Sequence, residues 1–256
     1  MPHVIPEGEN ATPLEVIGGT ASDKLVIIMV GLPATGKTHI SKRICRFISF
    51  FHDIPSQIFN VGDYRRQLCG ASMPASFYDP NNEEAVAQRT MACNAALDDM
   101  IEFMAQDGVR LAVYDATNST RERRKHIIKV LQERGIGAKK MFLETICDDK
   151  ELLMENIRTV KLSTPDYRGV DEEEALKDFQ ERRENYMSVY ETLDDGDGSY
   201  IKVLNSQKFV IHNIRGYLPL KVSFGISNIF CISVDMIRSS VTPASVPFFN
   251  TLFPKL

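Results

Sequence analysis

Basic residues are not in excess in this sequence of 256 residues. Its 30 Lys and Arg are outnumbered by 34 Asp and Glu, which gives a net charge of −4 with neutral histidines. A general nucleic-acid binder needs surplus positive charge for its phosphate contacts. The charge balance therefore disfavours nucleic acid as a partner.

Cysteine pairs, a signal peptide and long apolar runs are also missing. The five cysteines show no C-x-x-C pair and no zinc spacing, which favours reduced thiols. No charged and then apolar segment opens the sequence. The longest late apolar stretch, near residues 222–234, is interrupted by polar residues and is too short to span a bilayer. We therefore expect a cytoplasmic protein without a membrane partner.

One octapeptide carries the strongest signal for function: Gly31-Leu32-Pro33-Ala34-Thr35-Gly36-Lys37-Thr38. It matches G-x-x-x-x-G-K-[ST], the phosphate-binding loop of nucleotide-binding proteins. The two glycines let backbone N–H groups point at phosphate oxygens. The lysine reaches the outer phosphates, and the threonine hydroxyl ligates the Mg²⁺ that accompanies ATP.

The flanking sequence has the order that this loop requires. Residues 25–30 are an unbroken apolar run, typical of a strand buried on both faces. Residues 39–50 place apolar side chains at helical spacing, so a helix is predicted to start directly after the loop. The helix N-terminus adds partial positive charge for a phosphate. The segment therefore predicts a site for a nucleoside triphosphate.

The rest of the sequence alternates predicted strands with predicted helices. Apolar runs predict strands at residues 57–61, 111–114, 140–144 and 199–204. Helical spacing predicts helices at residues 83–106, 121–134, 148–160 and 171–191. This alternation predicts an α/β fold of the P-loop nucleoside or sugar kinase type, with a parallel sheet and helices on both faces.

Three regions are expected along the chain. Residues 1–23 are rich in Pro and Gly without a sustained period, which favours a flexible leader. Residues 24–217 contain all the predicted elements and form the P-loop domain. In residues 218–256 no helical or strand period holds throughout, so this segment is expected to be a divergent tail.

Carboxylates follow two predicted strands at the edge of the sheet where ligands collect. Asp115 ends the third strand, and two functional roles are open for it: a ligand of Mg²⁺ or the acceptor of a proton from an attacking hydroxyl. A structural role as the cap of the next helix is the alternative. Asp63 follows the second strand and is a weaker candidate base, since a capping role is equally open.

Five arginines are concentrated at the same two strand ends: Arg65, Arg66, Arg121, Arg123 and Arg124. Guanidinium groups bind phosphate bidentately, and one triphosphate cannot occupy all five. We infer a second anion site, for a phosphorylated acceptor. For Arg121 and Arg124 the alternative is a solvated helix face paired with acidic neighbours such as Glu122.

The charged segment 171–191 is interpreted first as a solvated helix and second as a mobile lid over the phosphates. Arg182 and Tyr186 are four residues apart, so they would face the same way and could reach a substrate. Cys147 follows the fourth strand without a base partner in the sequence. It is therefore predicted to line the pocket as a small buried residue rather than to act as a nucleophile.

Taken together, these segments resemble the 6-phosphofructo-2-kinase family, the kinase half of the bifunctional 6-phosphofructo-2-kinase/fructose-2,6-bisphosphatases. The resemblance covers residues 24–217 and rests on five motifs: Gly31-Leu32-Pro33-x-x-Gly36-Lys37-Thr38, Phe59-Asn60-Val61-Gly62-x-Tyr64-Arg65-Arg66, Asp115-Ala116-Thr117-Asn118-x-Thr120-Arg121-Glu122-Arg123-Arg124, Val160-Lys161 and Ser163-x-Pro165-Asp166-Tyr167. It implies phosphorylation of the 2-hydroxyl of fructose 6-phosphate by ATP with Mg²⁺. The product would be fructose 2,6-bisphosphate, a regulator of glycolysis, and the protein would be a homodimer.

The resemblance also implies roles for individual residues. ATP would be held by Gly31, Leu32, Pro33, Ala34, Thr35, Gly36, Lys37, Thr38, His39, and Asn156 to Lys161. Fructose 6-phosphate would contact Arg65, Thr117, Arg123, Lys161, Arg182 and Tyr186. Active-site positions would be Lys37, Asp115, Cys147 and Lys161, with Mg²⁺ on Thr38 and Asp115.

Three positions depart from the family pattern. Asp79 stands where most relatives have an arginine, and a carboxylate cannot bind a sugar phosphate as arginine does. Thr35 replaces a common arginine in the phosphate loop, which predicts a weaker grip on the nucleotide. Asp63 stands where relatives carry Gln or Glu. No Arg-His-Gly-Glu phosphatase signature follows residue 217, so hydrolysis of the product by the family's route is not expected.

Two other functions stay open from the sequence. A polynucleotide 5′-kinase also couples such a loop to strand-end arginines, but the acidic balance and the lack of a basic, aromatic strip count against it. A catalytically idle, nucleotide-binding regulatory subunit is the other, because Asp79 and Thr35 depart from the pattern.

Overall fold

One six-stranded sheet organises the computed structural model, which describes residues 23–216 and 218–227 apart from the side chain of Lys161. Its strands are β1 Leu25–Val30, β2 Ser56–Asn60, β3 Leu111–Asp115, β4 Lys139–Ile146, β5 Tyr200–Leu204 and β6 Lys208–His212. Their order across the sheet is β2-β3-β1-β4-β5-β6. The pairs from β2 to β5 are parallel, and β6 runs antiparallel to β5.

Helices connect and cover these strands in the described part of the chain. They are α1 Lys37–His52, α2 Val61–Cys69, α3 Glu83–Ala105, α4 Arg121–Glu133, α5 Lys150–Asn156, α6 Glu172–Met187 and α7 at residues 218–227. A π-helical turn, Ile157–Lys161, continues α5. Two 3₁₀ turns matter for the site, Ala75–Tyr78 before α3 and Pro165–Tyr167 before α6.

Two apolar layers enclose the sheet and place β1 at its centre. Every residue of β1 is fully buried, because β3 and β4 cover its edges and helices cover both of its faces. Its odd-numbered side chains pack with α1 and α7, and its even-numbered ones pack with α3 and α4. The alternation follows from the two-residue period of a strand. The loop after β1 is thereby fixed at the middle of the sheet.

The predicted α/β fold is confirmed, and the five predicted strands lie within two residues of the observed ones. The sheet is not wholly parallel, since β6 adds an antiparallel edge that the apolar pattern did not predict. Phe209, Val210 and Ile211 form an apolar run in β6, but the run is short and its side chains are exposed, so it gives no buried face. The predicted leader, apart from Asp23, lies outside the described residues.

The first ten residues of the expected tail form α7, and the rest of that segment lies outside the described residues. Leu218, Val222 and Ile226 are at most 1% exposed and join the apolar layer of α1. Their spacing of four residues forms one helical stripe. None of the helices in the described ranges is both long and apolar enough to cross a membrane.

Candidate active site

The phosphate loop lies between β1 and α1, as predicted. Gly31 has a φ of +138°, and a Cβ there would lie 2.5 Å from the carbonyl oxygen of Thr145, so this turn requires glycine. The N–H of Gly31 donates to the carbonyl oxygen of Thr117 at 3.0 Å. Ala34 and Gly36 also have positive φ, +66° and +92°. The loop is thus folded tightly against the ends of β3 and β4.

Lys37 lies inside this loop. Its Nζ donates to the carbonyl oxygens of Gly31 at 2.8 Å and Leu32 at 2.7 Å, and the residue is 9% exposed. The hydroxyl of Thr35 donates to the same Leu32 oxygen at 2.8 Å and hydrogen-bonds the Thr145 hydroxyl at 2.6 Å. Thr35 therefore connects the loop to β4.

The helices after β4 lie against the loop. Asn156, at the end of α5, donates its side-chain amide to the carbonyl oxygen of Ala34 at 3.2 Å. Arg183, on α6, donates to the carbonyl oxygen of Pro33 at 3.1 Å. Ala34 also packs in an apolar cluster with Phe179 of α6. This contact between α6 and the loop is the arrangement that a lid over bound phosphates requires.

Thr38, Asn60 and Asp115 form a second group beside the loop. Asp115 ends β3 and is 2% exposed. Asn60 ends β2, and its Nδ2 donates to Asp115 Oδ2 at 2.7 Å and lies 3.4 Å from Thr38 Oγ1. A carboxylate and a hydroxyl are hard oxygen ligands of the kind that Mg²⁺ prefers. The two predicted metal ligands are therefore held near one another by a single amide, and their donor set fits Mg²⁺.

No group of three or more His, Cys, Asp and Glu side chains suited to a metal lies within the described ranges.

Three arginines converge on the carboxylate of Asp166, a group that we call the Asp166 cluster. Arg65 donates Nη2 to both carboxylate oxygens at 2.7 Å, and both residues are buried. Arg66 Nη1 lies 3.3 Å and Arg182 Nη1 lies 3.6 Å from Asp166 Oδ2. Asp63 pairs with Arg66 at 2.5 Å, which disfavours Asp63 as a base. Three cations facing one buried carboxylate leave positive charge at this cluster, and such charge would suit a further anion.

The pKa of Asp166 reflects two opposing effects. Burial alone would raise it, but the hydrogen bond from Arg65 and the charges of Arg65, Arg182 and Arg66 together lower it. The carboxylate is therefore ionised at neutral pH and orients the guanidinium groups.

Aromatic rings complete the wall next to the Asp166 cluster. The guanidinium carbon of Arg182 lies 3.8 Å from the ring centroid of Tyr78, and the Tyr186 ring lies 5.8 Å from that of Tyr78. Three of the predicted acceptor residues, Arg65, Arg182 and Tyr186, thus lie close together where α2, α6 and the turn Ala75–Tyr78 meet.

The other strand-end arginines do not join this cluster. Arg121 pairs with Asp194 at 2.6 Å, and the buried Arg124 pairs with Asp197 at 2.8 Å. Both ion pairs are with an acidic turn before β5, which favours the alternative of acid-paired arginines that was open for these two, although Arg124 is buried and not solvated. Arg123 is half-buried and donates Nη2 to the hydroxyl of Tyr114 at 3.1 Å.

The remaining predicted residues have varied positions. Thr117 is half-buried beside the loop, and His39 is exposed in the first turn of α1. Cys147 is buried, and burial together with the charge of Asp149 raises its pKa, so the thiol stays protonated. This supports a pocket-lining role and not a nucleophilic one. The side chain of Lys161 lies outside the described residues.

Three residues at the site had no predicted role. Asn60 and Asp166 lie within quoted motifs, yet their partners are 55 and 101 positions away, so only the fold reveals the contacts. Arg183 directly follows Arg182, and the helix turns its side chain to the phosphate loop instead of the Asp166 cluster. No local signal distinguishes these two arginines.

The sequence matches the family model for 6-phosphofructo-2-kinase over residues 15–231. The chain belongs to the 6-phosphofructo-2-kinase family. The matched range includes α7 and extends beyond the boundary at residue 217 that the motifs suggested.

Curated members of this family share about two fifths of their aligned residues with the chain. It is 39% identical over 209 residues to 6-phosphofructo-2-kinase/fructose-2,6-bisphosphatase 3 of Homo sapiens, covering 80% of this chain and 40% of that protein. It is 38% identical over 214 residues to 6-phosphofructo-2-kinase/fructose-2,6-bisphosphatase of Caenorhabditis elegans, covering 80% and 46%. The chain thus spans less than half the length of these relatives.

A solved structure supports the fold independently of the sequence. Kti12 of Chaetomium thermophilum, crystallised in complex with ADP-AlF3, aligns with a TM-score of 0.51 at 15% identity. The alignment covers 80% of this chain and 97% of that one.

Proposed function

We propose that this chain transfers the γ-phosphoryl group of ATP to the 2-hydroxyl of fructose 6-phosphate, giving fructose 2,6-bisphosphate and ADP. The observation that carries the proposal is the presence in one domain of two groups of cationic side chains that would suit phosphate. One is the loop around Lys37, and the other is the Asp166 cluster. Family membership supplies the identity of the acceptor, since the relatives are named as 6-phosphofructo-2-kinases.

The nucleotide side of the reaction would use the phosphate loop. Lys37 binds the outer phosphates by exchanging its bonds with two loop carbonyls for phosphate oxygens. Thr38 and Asp115 would hold Mg²⁺, which supplies charge neutralisation at the β- and γ-phosphates. Asp115 had two predicted roles, and its contact through Asn60 with Thr38 supports that of metal ligand. Asn156 and Arg183 hold the outer carbonyls of the loop in place.

The acceptor, fructose 6-phosphate, would bind at the Asp166 cluster. Arg65 and Arg182 neutralise the 6-phosphate, and Tyr186 closes the wall next to it. Such positioning accounts for much of the catalysis in phosphoryl transfer, where the protein does little covalent chemistry. The oxygen of the 2-hydroxyl attacks the γ-phosphorus, the bond to the β-phosphate oxygen breaks, and the hydroxyl proton is released.

We also propose action in the cytoplasm, where ATP and sugar phosphates are both available. Assembly as a homodimer stays a prediction of the resemblance.

The proposal is tested by incubating the protein with Mg·ATP and one acceptor at a time. We expect ADP release with fructose 6-phosphate, and ³¹P NMR should locate the new phosphate on carbon 2. A 5′-hydroxyl oligonucleotide serves as the competing acceptor. Turnover only with the oligonucleotide would support a polynucleotide kinase, and ATP binding without turnover of either acceptor would support the regulatory subunit.

A further inference from the structure

Two buried polar atoms beside the Asp166 cluster have no hydrogen-bond partner among the described residues. They are the hydroxyl oxygen of Tyr78 and Nε of Arg182. Tyr78 as a whole is 3% exposed, and the guanidinium group of Arg182 lies against its ring. Buried polar groups are nearly always hydrogen-bonded, so two such atoms on adjacent side chains require an explanation.

The position of Tyr78 is built into the fold. Tyr78 ends the 3₁₀ turn Ala75–Tyr78. At the start of this turn, both the N–H and the carbonyl oxygen of Ala75 are hydrogen-bonded to side chains of α6. Asp178 accepts a hydrogen bond from the N–H of Ala75 at 2.8 Å, and Asn185 donates to the carbonyl oxygen of Ala75 at 3.0 Å. Arg89, on α3, donates to the carbonyl oxygen of Phe77. The unpartnered hydroxyl therefore belongs to an anchored segment.

The surroundings of these two atoms indicate the chemistry of their ligand. The N–H at Nε can only donate, and a tyrosine hydroxyl can donate as well. Burial raises the pKa of Tyr78 in spite of the positive charges of Arg182 and Arg65, so the hydroxyl keeps its proton at neutral pH. Two donors near a group of guanidinium ions suit an oxygen of a phosphate. Asp79 adds no contact of this kind, since its carboxylate accepts from Asn81.

We propose that Tyr78 is a substrate-binding residue whose hydroxyl donates a hydrogen bond to the phosphate group of the sugar-phosphate acceptor, next to Nε of Arg182. This inference deepens the proposed function and rests on it for the identity of the acceptor. Tyr78 would thereby add an uncharged hydrogen-bond donor next to the charged guanidinium groups of Arg65 and Arg182.

The variant Tyr78→Phe tests the inference because it removes one oxygen and keeps the ring on which Arg182 stacks. We expect the KM for fructose 6-phosphate to rise about ten- to hundredfold, as for a lost hydrogen bond to a charged group. The KM for ATP should stay within about twofold. Without ligand, the Tm of the variant should equal or exceed that of the wild type, since an unsatisfied buried hydroxyl has been removed.

Tyr200→Phe is the matched control, because its hydroxyl already has a partner, Asp195, at 3.3 Å on the β5 side of the sheet. It should leave the KM for fructose 6-phosphate unchanged. An unchanged KM in Tyr78→Phe would overturn the inference. A lower Tm of ligand-free Tyr78→Phe with an unchanged KM would assign the hydroxyl a structural role.

A second experiment measures how far inorganic phosphate raises the Tm of each protein. It tests the phosphate contact separately from the proposed function. If the wild type fails to phosphorylate fructose 6-phosphate, the proposed function is wrong. Binding of phosphate at the Asp166 cluster can still be tested in that case. We expect phosphate to raise the Tm of the wild type and of Tyr200→Phe but not that of Tyr78→Phe. This result would support the phosphate contact. Equal protection of all three proteins, or protection of none, overturns it.

Discussion

Several side chains at this site donate hydrogen bonds to backbone carbonyl oxygens. Lys37, Asn156 and Arg183 each donate to carbonyl oxygens of the phosphate loop, from α1, α5 and α6 respectively. These three contacts use carbonyl oxygens of the loop and none of its N–H groups. That division suits a loop that binds phosphate with its N–H groups.

Lys37→Ala removes an ammonium group held within the loop. We expect a fall in kcat of about a hundredfold or more, because the charge that neutralises the moving phosphoryl group is lost. The measurement is ADP release at saturating fructose 6-phosphate. Lys42→Ala, on the exposed face of the same helix, is the control and should retain activity. Comparable rates in the two variants would contradict the role of Lys37.

Arg123→Ala should act mainly on the acceptor. Arg123 is held by the Tyr114 hydroxyl, which itself donates to the carbonyl oxygen of Cys93 at 2.8 Å, so the guanidinium group is positioned in advance. We expect the KM for fructose 6-phosphate to rise about tenfold with a smaller change in kcat. Steady-state kinetics against Arg134→Ala, which breaks an exposed pair with Asp98, checks this. An unchanged KM would remove Arg123 from the acceptor site.

At the scale of elements, the Asp166 cluster joins α2 to α6. Asp166 lies in the 3₁₀ turn before α6, whereas Arg65 and Arg66 lie on α2 and Arg182 lies on α6. One carboxylate therefore links elements that are far apart in the chain. A buried ion pair of this kind is costly to break on one side, because it leaves charges without partners.

Acid should weaken this link in a defined range of pH. The pKa of Asp166 is lowered from its ordinary value of 3.8, so its ionised form stabilises the fold above that value and the contribution is lost as the pH falls below it. We expect Asp166→Asn to reduce the free energy of unfolding by about 3 kcal/mol at pH 7. The difference from the wild type should shrink as the pH falls below 3.8. Thermal unfolding across pH 3 to 7 measures it.

Asp98→Asn supplies the matched control for the acid experiment. Its carboxylate forms an exposed pair with Arg134, and such pairs contribute little to stability. The variant should follow the wild type across the whole range. A difference for Asp166→Asn that stayed constant down to pH 3 would show that the ion pair is not the source of its stability effect.

The elements that could be predicted from sequence are those whose signal is local. β1 and the phosphate loop needed only an apolar run and a glycine spacing, and both are where they were expected. β6 was not predicted, because it is an exposed edge strand whose apolar run, residues 209–211, is only three residues long. Arg65 and Asp166 are 101 positions apart in the sequence. The arginines could therefore be predicted as site residues, but their contact with Asp166 could not.

In the molecule as a whole, the sheet is closed on the α1 side by a helix from beyond the expected domain boundary. α7 places Leu218, Val222 and Ile226 in the layer that also buries the odd-numbered residues of β1. At Gly225 a Cβ would lie 2.6 Å from Cδ1 of Phe47, which shows how closely α7 approaches α1. The core that positions the phosphate loop therefore depends on residues after 217.

Leu218→Ala tests whether α7 supports the whole domain. The residue is fully buried, so the substitution should lower the free energy of unfolding by about 2–5 kcal/mol through lost burial and a cavity. Met91→Ala, at a position 62% exposed on α3, is the control and should change stability by about 0.5 kcal/mol or less. Urea unfolding measures both. Equal midpoints for the two variants would place α7 outside the cooperative core, whereas a selective loss for Leu218→Ala would make it part of the frame that holds β1 and its loop.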